Sequence, residues 1–218
     1  MAHVLFDVNG TLLDPRALTA AWPGAAPDLG LSVLDATVLQ SMVDTMTGEF
    51  RPFAEYVRAA LAHRAELLGL GEQAVESGMA AAAALPAYPD AAAALAALRA
   101  AGHKPCAVTN SAAHSARSAL AAAGLLEHLD AVVGADAVGA YKPDARVYRH
   151  ALEALALDAG GTWFVAGHWW DVCGAKRAGL RTVWIGRDEG ALLRTAPVPD
   201  VRAATLAEAA AAIAATRA

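Results

Sequence analysis

Four short apolar runs, each trailed by helix-like text, limit the folds open to this chain. They are KPCAVTN (104–110), DAVVGAD (130–136), WFVAG (163–167) and TVWIG (182–186). Helical stretches occupy 112–123, 144–156 and 171–178 between them, and another begins near 205. An Ala/Leu-rich helix precedes the first run, opened by Tyr88-Pro89-Asp90 and closed by Gly102. Strands alternating with helices predict an α/β fold, a parallel sheet covered on both faces. Its crossovers are right-handed, so the strand ends gather at one edge. The polar residues arriving there are Thr109 and Asn110, Lys142 on a following loop, and His168 to Asp171.

A fifth run opens the chain. Val4, Leu5 and Phe6 read as a buried strand, and Asp7 stands at its end before Asn9-Gly10-Thr11. A carboxylate there is either poised as an attacking group at the carboxyl edge of the sheet or simply part of a strand-to-loop turn. Residues 15–86 have a different texture. Leu34, Val38, Met42 and Thr45/Met46 recur at helical spacing over 31–48, with Gly48 as a stop. Pro52 opens a second helix to about Gly69, and a third covers roughly 71–84 before Pro86. With no strand signal, 15–86 is expected to form an all-helical cap that roofs the edge holding Asp7. Residues 1–14 and 87–218 then form the core domain.

Composition excludes several partners. The 218 residues carry a net charge of −5 without a basic cluster, which speaks against nucleic acid. Alanine runs such as 80–84 and 209–211 inflate the 56% hydrophobic content, and no stretch has the strongly apolar length of a membrane span. The chain enters its first strand without a basic region and apolar signal core. Cys106 and Cys173 match no metal spacing and read as reduced structural thiols of a cytoplasmic protein.

Four segments carry a family resemblance: FDVNGTLLD (6–14), VTNS (108–111), YKPDARVY (141–148) and FVAGHWWDVCGAKRAGL (164–180). In this order, with a cap-sized gap after the first, the chain resembles the haloacid dehalogenase superfamily over nearly its full length. Within the superfamily it looks like the type II (L-2-haloacid) dehalogenases. The resemblance implies a Rossmann-like core with Asp7 as a nucleophile that forms a covalent ester. Superfamily phosphatases carry D-x-D-G-T, whose second Asp protonates the leaving alcohol; that position here is Asn9. An amide cannot serve as a general acid, whereas a departing halide needs no proton. The phosphatases also commonly show G-D-x-x-x-D in the fourth segment. Here only Asp171 remains, a poor donor set for magnesium beside Asp7. The expectation is a site without metal or cofactor.

The implied chemistry is attack of Asp7 on C2 of a short 2-haloacid, with inversion. Water activated by Asp171 then hydrolyses the ester to a 2-hydroxyacid. Lys142 keeps Asp7 ionised and screens the anionic substrate. Thr11 bonds the nucleophile or anchors its loop. Asn9 and Leu12 are placed among the substrate contacts. Thr109 and Asn110 hold the substrate carboxylate at a helix start or cap that helix. Tyr148, six residues after Lys142, contacts substrate or packs half-buried. Trp170 walls the pocket, and His168 either donates to halide or carboxylate or packs as an imidazole.

The chain departs from the dehalogenases in one respect above others. They bind the departing halide with an arginine on the first long cap helix. That place falls near Leu34, and 31–48 contains no Lys or Arg. Arg16 and Arg51 flank the segment as candidate replacements. Partners are thus a small 2-haloacid, water and halide, with a second copy of the chain as a family expectation. A phosphatase-like hydrolase and a non-catalytic protein on this scaffold are the competing readings.

Overall fold

The computed structural model describes residues 2–216. Six parallel strands form one sheet: β1 (His3–Phe6), β2 (Lys104–Thr109), β3 (Ala131–Gly134), β4 (Trp163–Ala166), β5 (Arg181–Ile185) and β6 (Val201–Ala203). Their order across the sheet is β3-β2-β1-β4-β5-β6. β1 is central because the chain winds outward first through β2 and β3, then returns to its other side for β4. That reversal makes the β1/β4 carboxyl edge the natural crevice of an open α/β sheet.

Alternation along the strands builds two cores. Val4, Phe6, Trp163 and Val165 face one side, with Leu95 and Leu98 of α4 (Ala91–Ala100) and Ile213 of α8 (Leu206–Ala215). Leu5, Phe164 and Ala166 face the other, with Val147 and Ala151 of α6 (Ala145–Ala154) and Val172 of α7 (Trp169–Arg177). Burial on both faces explains why the strands read as continuous apolar runs. α5 (Ala113–Ala122) follows β2 and packs on β3.

Between β1 and α4 the chain is helical: a 3₁₀ turn over Pro15–Ala21, then α1 (Leu29–Thr47), α2 (Phe53–Leu67) and α3 (Glu72–Ala83). Gly48 ends α1 in the left-handed region, at φ 86°, a conformation that favours glycine. The insert is stitched where it leaves and returns. Asp14 N–H donates to Pro86 O at 2.8 Å, and Tyr88 N–H donates to Leu12 O at 2.9 Å. Leu18, Trp22, Val33 and Leu61 merge with the first core, while Val38, Phe53 and Tyr56 merge with the second.

β6 has no counterpart in the sequence reading. It is a three-residue edge strand with an exposed arginine at its centre, so it presents no apolar run. Asp200 fixes its start by accepting from Thr182 N–H at 2.7 Å and Lys176 Nζ at 2.6 Å. Cys106 and Cys173 are free and buried. No helix among the described residues is long and apolar enough to cross a membrane.

Candidate active site

Asp7 follows β1 directly, and its backbone N–H donates to Val165 O at 3.0 Å, continuing the β1/β4 pairing. Its carboxylate is nearly buried and held at both oxygens. Lys142 Nζ donates to Oδ1 at 2.7 Å, and the Thr11 hydroxyl donates to Oδ2 at 2.9 Å. Thr11 Oγ1 in turn accepts from Gly167 N–H at 2.9 Å, locking the first and fourth segments together. Burial opposes ionisation of Asp7, but the Lys142 charge and then His168 outweigh it and hold the carboxyl well below the usual carboxylate range.

Lys142 is fully buried, a position a lysine occupies only when paired. Its three donors are all used: Asp7 Oδ1, Asp171 Oδ2 at 2.6 Å, and Val108 O at 3.0 Å. Burial alone would depress its pKa; the two carboxylates, Asp171 foremost, raise it instead, so it stays cationic. One ammonium thus bridges Asp7 and Asp171.

A single cation cannot neutralise both carboxylates, and the surplus falls on Asp171. Burial, assisted by the Asp7 charge, pushes its carboxyl up to about 6 despite Lys142. Its Oδ1 accepts from the Tyr148 hydroxyl at 2.5 Å. Burial and the Asp171 charge keep the Tyr148 phenol protonated, so it acts here as a donor. Tyr148 therefore touches Asp171 and does not line the cavity, because its ring is wholly buried edge-on against Phe164. Gly174 makes room for it: a Cβ there would sit 2.5 Å from the phenol oxygen.

His168 lies on the other flank of Asp7. Its Nδ1 is 3.7 Å from Asp7 Oδ2, too long for a hydrogen bond, and this buried atom has no partner. Burial would favour the neutral ring, but Asp7 foremost, with Glu189 and Asp171, raises its pKa above the usual value. Trp170 stacks on the imidazole at 5.3 Å between centroids. Gly10 is required beside it, since its φ is +83° and a Cβ would fall 2.3 Å from His168 Cε1. The Leu34 side chain reaches over this glycine from α1.

The remaining expected contacts divide. Asn9 lines the cavity above the site. Leu12 does not: it is fully buried in the first core, because its backbone turns inward to meet Tyr88. Thr109 Oγ1 accepts from Ser111 N–H at 3.2 Å, and Asn110 Oδ1 accepts from Lys142 N–H at 2.9 Å. Both side chains thus fix loops, and among the described residues the Asn110 amide nitrogen has no partner. Neither flanking arginine reaches the site. Arg16 is bound to Asp14 at 2.8 Å and lies over the Tyr88 ring, and Arg51 is paired with Asp44 at 3.2 Å.

A cavity of about 700 Å³ opens beside Asp7's loop, between the helical insert and α5. Val8 and Asn9 floor it, and Leu34, Val33, Val57 and Met79 roof it. Glu189 escaped the sequence reading, for it lies in a loop without a motif. It accepts from Trp169 N–H at 3.0 Å and Trp184 Nε1 at 2.9 Å, securing the start of α7. Only its spacing after the TVWIG strand could have pointed to it. Among the described residues no group of three or more His, Cys, Asp or Glu could hold a metal ion. The Lys142 ammonium lies within hydrogen-bond distance of both site carboxylates.

Comparison with known proteins gives a consistent result. The family model for haloacid dehalogenase-like hydrolases matches residues 1–179. (S)-2-haloacid dehalogenase 1 of Pseudomonas sp. (strain CBS-3) is 33% identical over 189 residues, covering 84% of this chain and 83% of that protein. A crystal structure of a dehalogenase superposes with a TM-score of 0.92 at 28% identity, over 99% of this chain and 98% of that one. The L-2-haloacid dehalogenase from Xanthobacter autotrophicus, solved with chloropropionic acid covalently bound, gives a TM-score of 0.90 at 25% identity over the full length of both chains. This chain belongs to the haloacid dehalogenase-like hydrolases and, within them, to the (S)-2-haloacid dehalogenase family.

Proposed function

We propose that this protein hydrolyses 2-haloacids to 2-hydroxyacids through an ester on Asp7, with inversion at C2. The carrying observation is that Asp7 is ionised and held by Lys142 and Thr11, while Asn9 cannot donate a proton to an alkoxide. An Asp7 oxygen attacks C2, the carbon–halogen bond breaks, and the halide leaves with the electron pair. Water then adds to the Asp7 carbonyl carbon and passes a proton to Asp171. Collapse breaks the bond to the substrate oxygen, which takes the proton back. One proton is released to solvent as Asp7 returns to carboxylate, so acid and water give hydroxyacid, halide and a proton. Covalently bound chloropropionic acid in a relative supports the ester step.

The halide must leave opposite the attacking oxygen, towards the roof. A group 3.7 Å from Asp7 Oδ2 sits beside the reacting carbon instead. His168 and the Asn110 amide therefore take the substrate carboxylate, and the halide departs against Leu34. Trp170 orients His168. The enzyme works in the cytoplasm with its thiols reduced. It is a homodimer, supported by exposed Leu39, Val43 and Met46 at i, i+4, i+7 on α1. Sedimentation tests this, with Met46→Glu expected to give monomers.

The decisive measurement is halide release from (S)-2-chloropropionate, with and without chelator. Release unaffected by chelator is expected, with the R enantiomer inert, and Asp7→Asn should lower the rate at least about 10⁴-fold. No release from any 2-haloacid sinks the dehalogenase reading. Magnesium-dependent turnover of p-nitrophenyl phosphate would favour a phosphatase.

A further inference from the structure

Resting on the dehalogenase reading, we infer that the preferred substrates are 2-haloacids with a long apolar tail, of about six to ten carbons, rather than the shortest acids. The first observation is size. 2-Chloropropionate has six heavy atoms, and at about 20–30 Å³ each they fill roughly a fifth of the space available. The cavity beside Asp7 measures about 700 Å³. Pockets of about 300–1,000 Å³ are those that enclose drug-sized ligands.

The second observation is position and lining. Val8 and Asn9, the two residues after the nucleophile, line the cavity, so it lies next to the place where C2 of an acid held at Asp7 would sit. Its far walls are Val57, Met79 and Leu85 from the insert and its return, and Ala119 on α5. The third is charge. Among the described residues His114, Asp136 and Tyr141 are the ionisable ones in the lining, and all three sit on the core side. The insert's share of the wall carries no charged group for a second anionic head, and its one hydroxyl, Thr37, is already spent on Val33 O at 2.8 Å. A tail of methylenes matches that surface, and each one buried raises kcat/KM about threefold to fourfold.

The test is a chain-length series of (S)-2-bromo acids with three, six and ten carbons, read by bromide release. Unreactive propionate and decanoate serve in parallel as calorimetric binding probes. The expected ratio of kcat/KM between the ten- and three-carbon acids exceeds ten, with decanoate binding at least tenfold tighter than propionate. A kcat/KM ratio of ten or less overturns the tail assignment. Tight decanoate binding without bromide release from any acid would instead overturn the dehalogenase reading and leave the tail site standing; failure of both overturns both. Ala119→Phe narrows the cavity away from Asp7 and should cut the ten-to-three ratio at least fivefold. An unchanged ratio in that variant also overturns the assignment, and if it fails to fold, the chain-length series decides alone.

Discussion

The floor and the roof of the cleft are built on opposite rules. In the floor, the nucleophile and the groups around it are tied to neighbours from distant segments. Lys142 bridges Asp7 and Asp171, Thr11 spans to Gly167, and Tyr148 reaches back to Asp171. In the roof, Leu34, Val33, Val57 and Met79 offer no polar group at all. The floor is over-determined, as an ionic reaction in a buried site requires. In the proposed reaction the roof meets only what varies between substrates, their tails and leaving groups. On that proposal, chemistry is fixed below and selectivity is set above.

After the nucleophile itself, the floor breaks hardest at Lys142. Lys142→Met leaves two carboxylates facing each other without their shared cation. Activity should fall at least about 10³-fold, and stability by about 3–5 kcal/mol in urea unfolding, as for breaking a buried ion pair. Adding Asp171→Asn removes the repulsion. The double variant should therefore recover part of the stability but none of the activity. Additive losses in that cycle would show that the two carboxylates are not coupled through the lysine.

The roof should respond in the opposite sense. Leu34 occupies the ceiling towards which the proposed reaction sends the halide, and both nearby arginines are committed elsewhere, Arg16 to Asp14 and Arg51 to Asp44. A pre-organised donor at developing negative charge is worth about 10²–10³ in rate. Leu34→Arg lacks a tuned setting, so a gain of about tenfold in kcat on 2-chloropropionate is expected, with less on the bromo acid, whose leaving group is better. No gain with a folded variant would mean that the halide is solvated along another route.

The same contrast governs what the residues disclosed. Strand ends were legible because buried parallel strands are continuous apolar runs and polar residues interrupt them only at the edge. Asp7, Lys142 and His168–Asp171 were visible for that reason. β6 was not, being a short edge strand that Asp200 holds by side-chain bonds. Direction was less legible than presence. Tyr148, expected either to contact substrate or to pack, turns to Asp171, and Leu12 turns into the core, since linear order does not say which face of a loop a side chain takes. The roof was hardest of all: apolar helix faces look alike whether they pack on a core or enclose a cavity, and only the space between α1 and α5 distinguishes them.

The smallest expected effect is a displacement in pH. Asp171 must be ionised to take a proton from water, and burial raises its carboxyl to about 6. Hydrolysis should therefore rise with pH through about 6 and level off above it. His168, raised above its usual value by Asp7, must stay protonated to hold the substrate carboxylate, so kcat/KM falls again as pH climbs through its pKa. Tyr148 donates to the ionised form of Asp171, which lowers that pKa. Tyr148→Phe removes the donor and should move the acid limb upward by about one pH unit, the size of one hydrogen bond to a charge. At pH 6 the variant loses roughly fivefold in kcat, while at pH 8 it is nearly normal. A uniform loss at all pH values would mean that Tyr148 merely packs against Phe164, and an unshifted limb would take Asp171 out of the proton transfer.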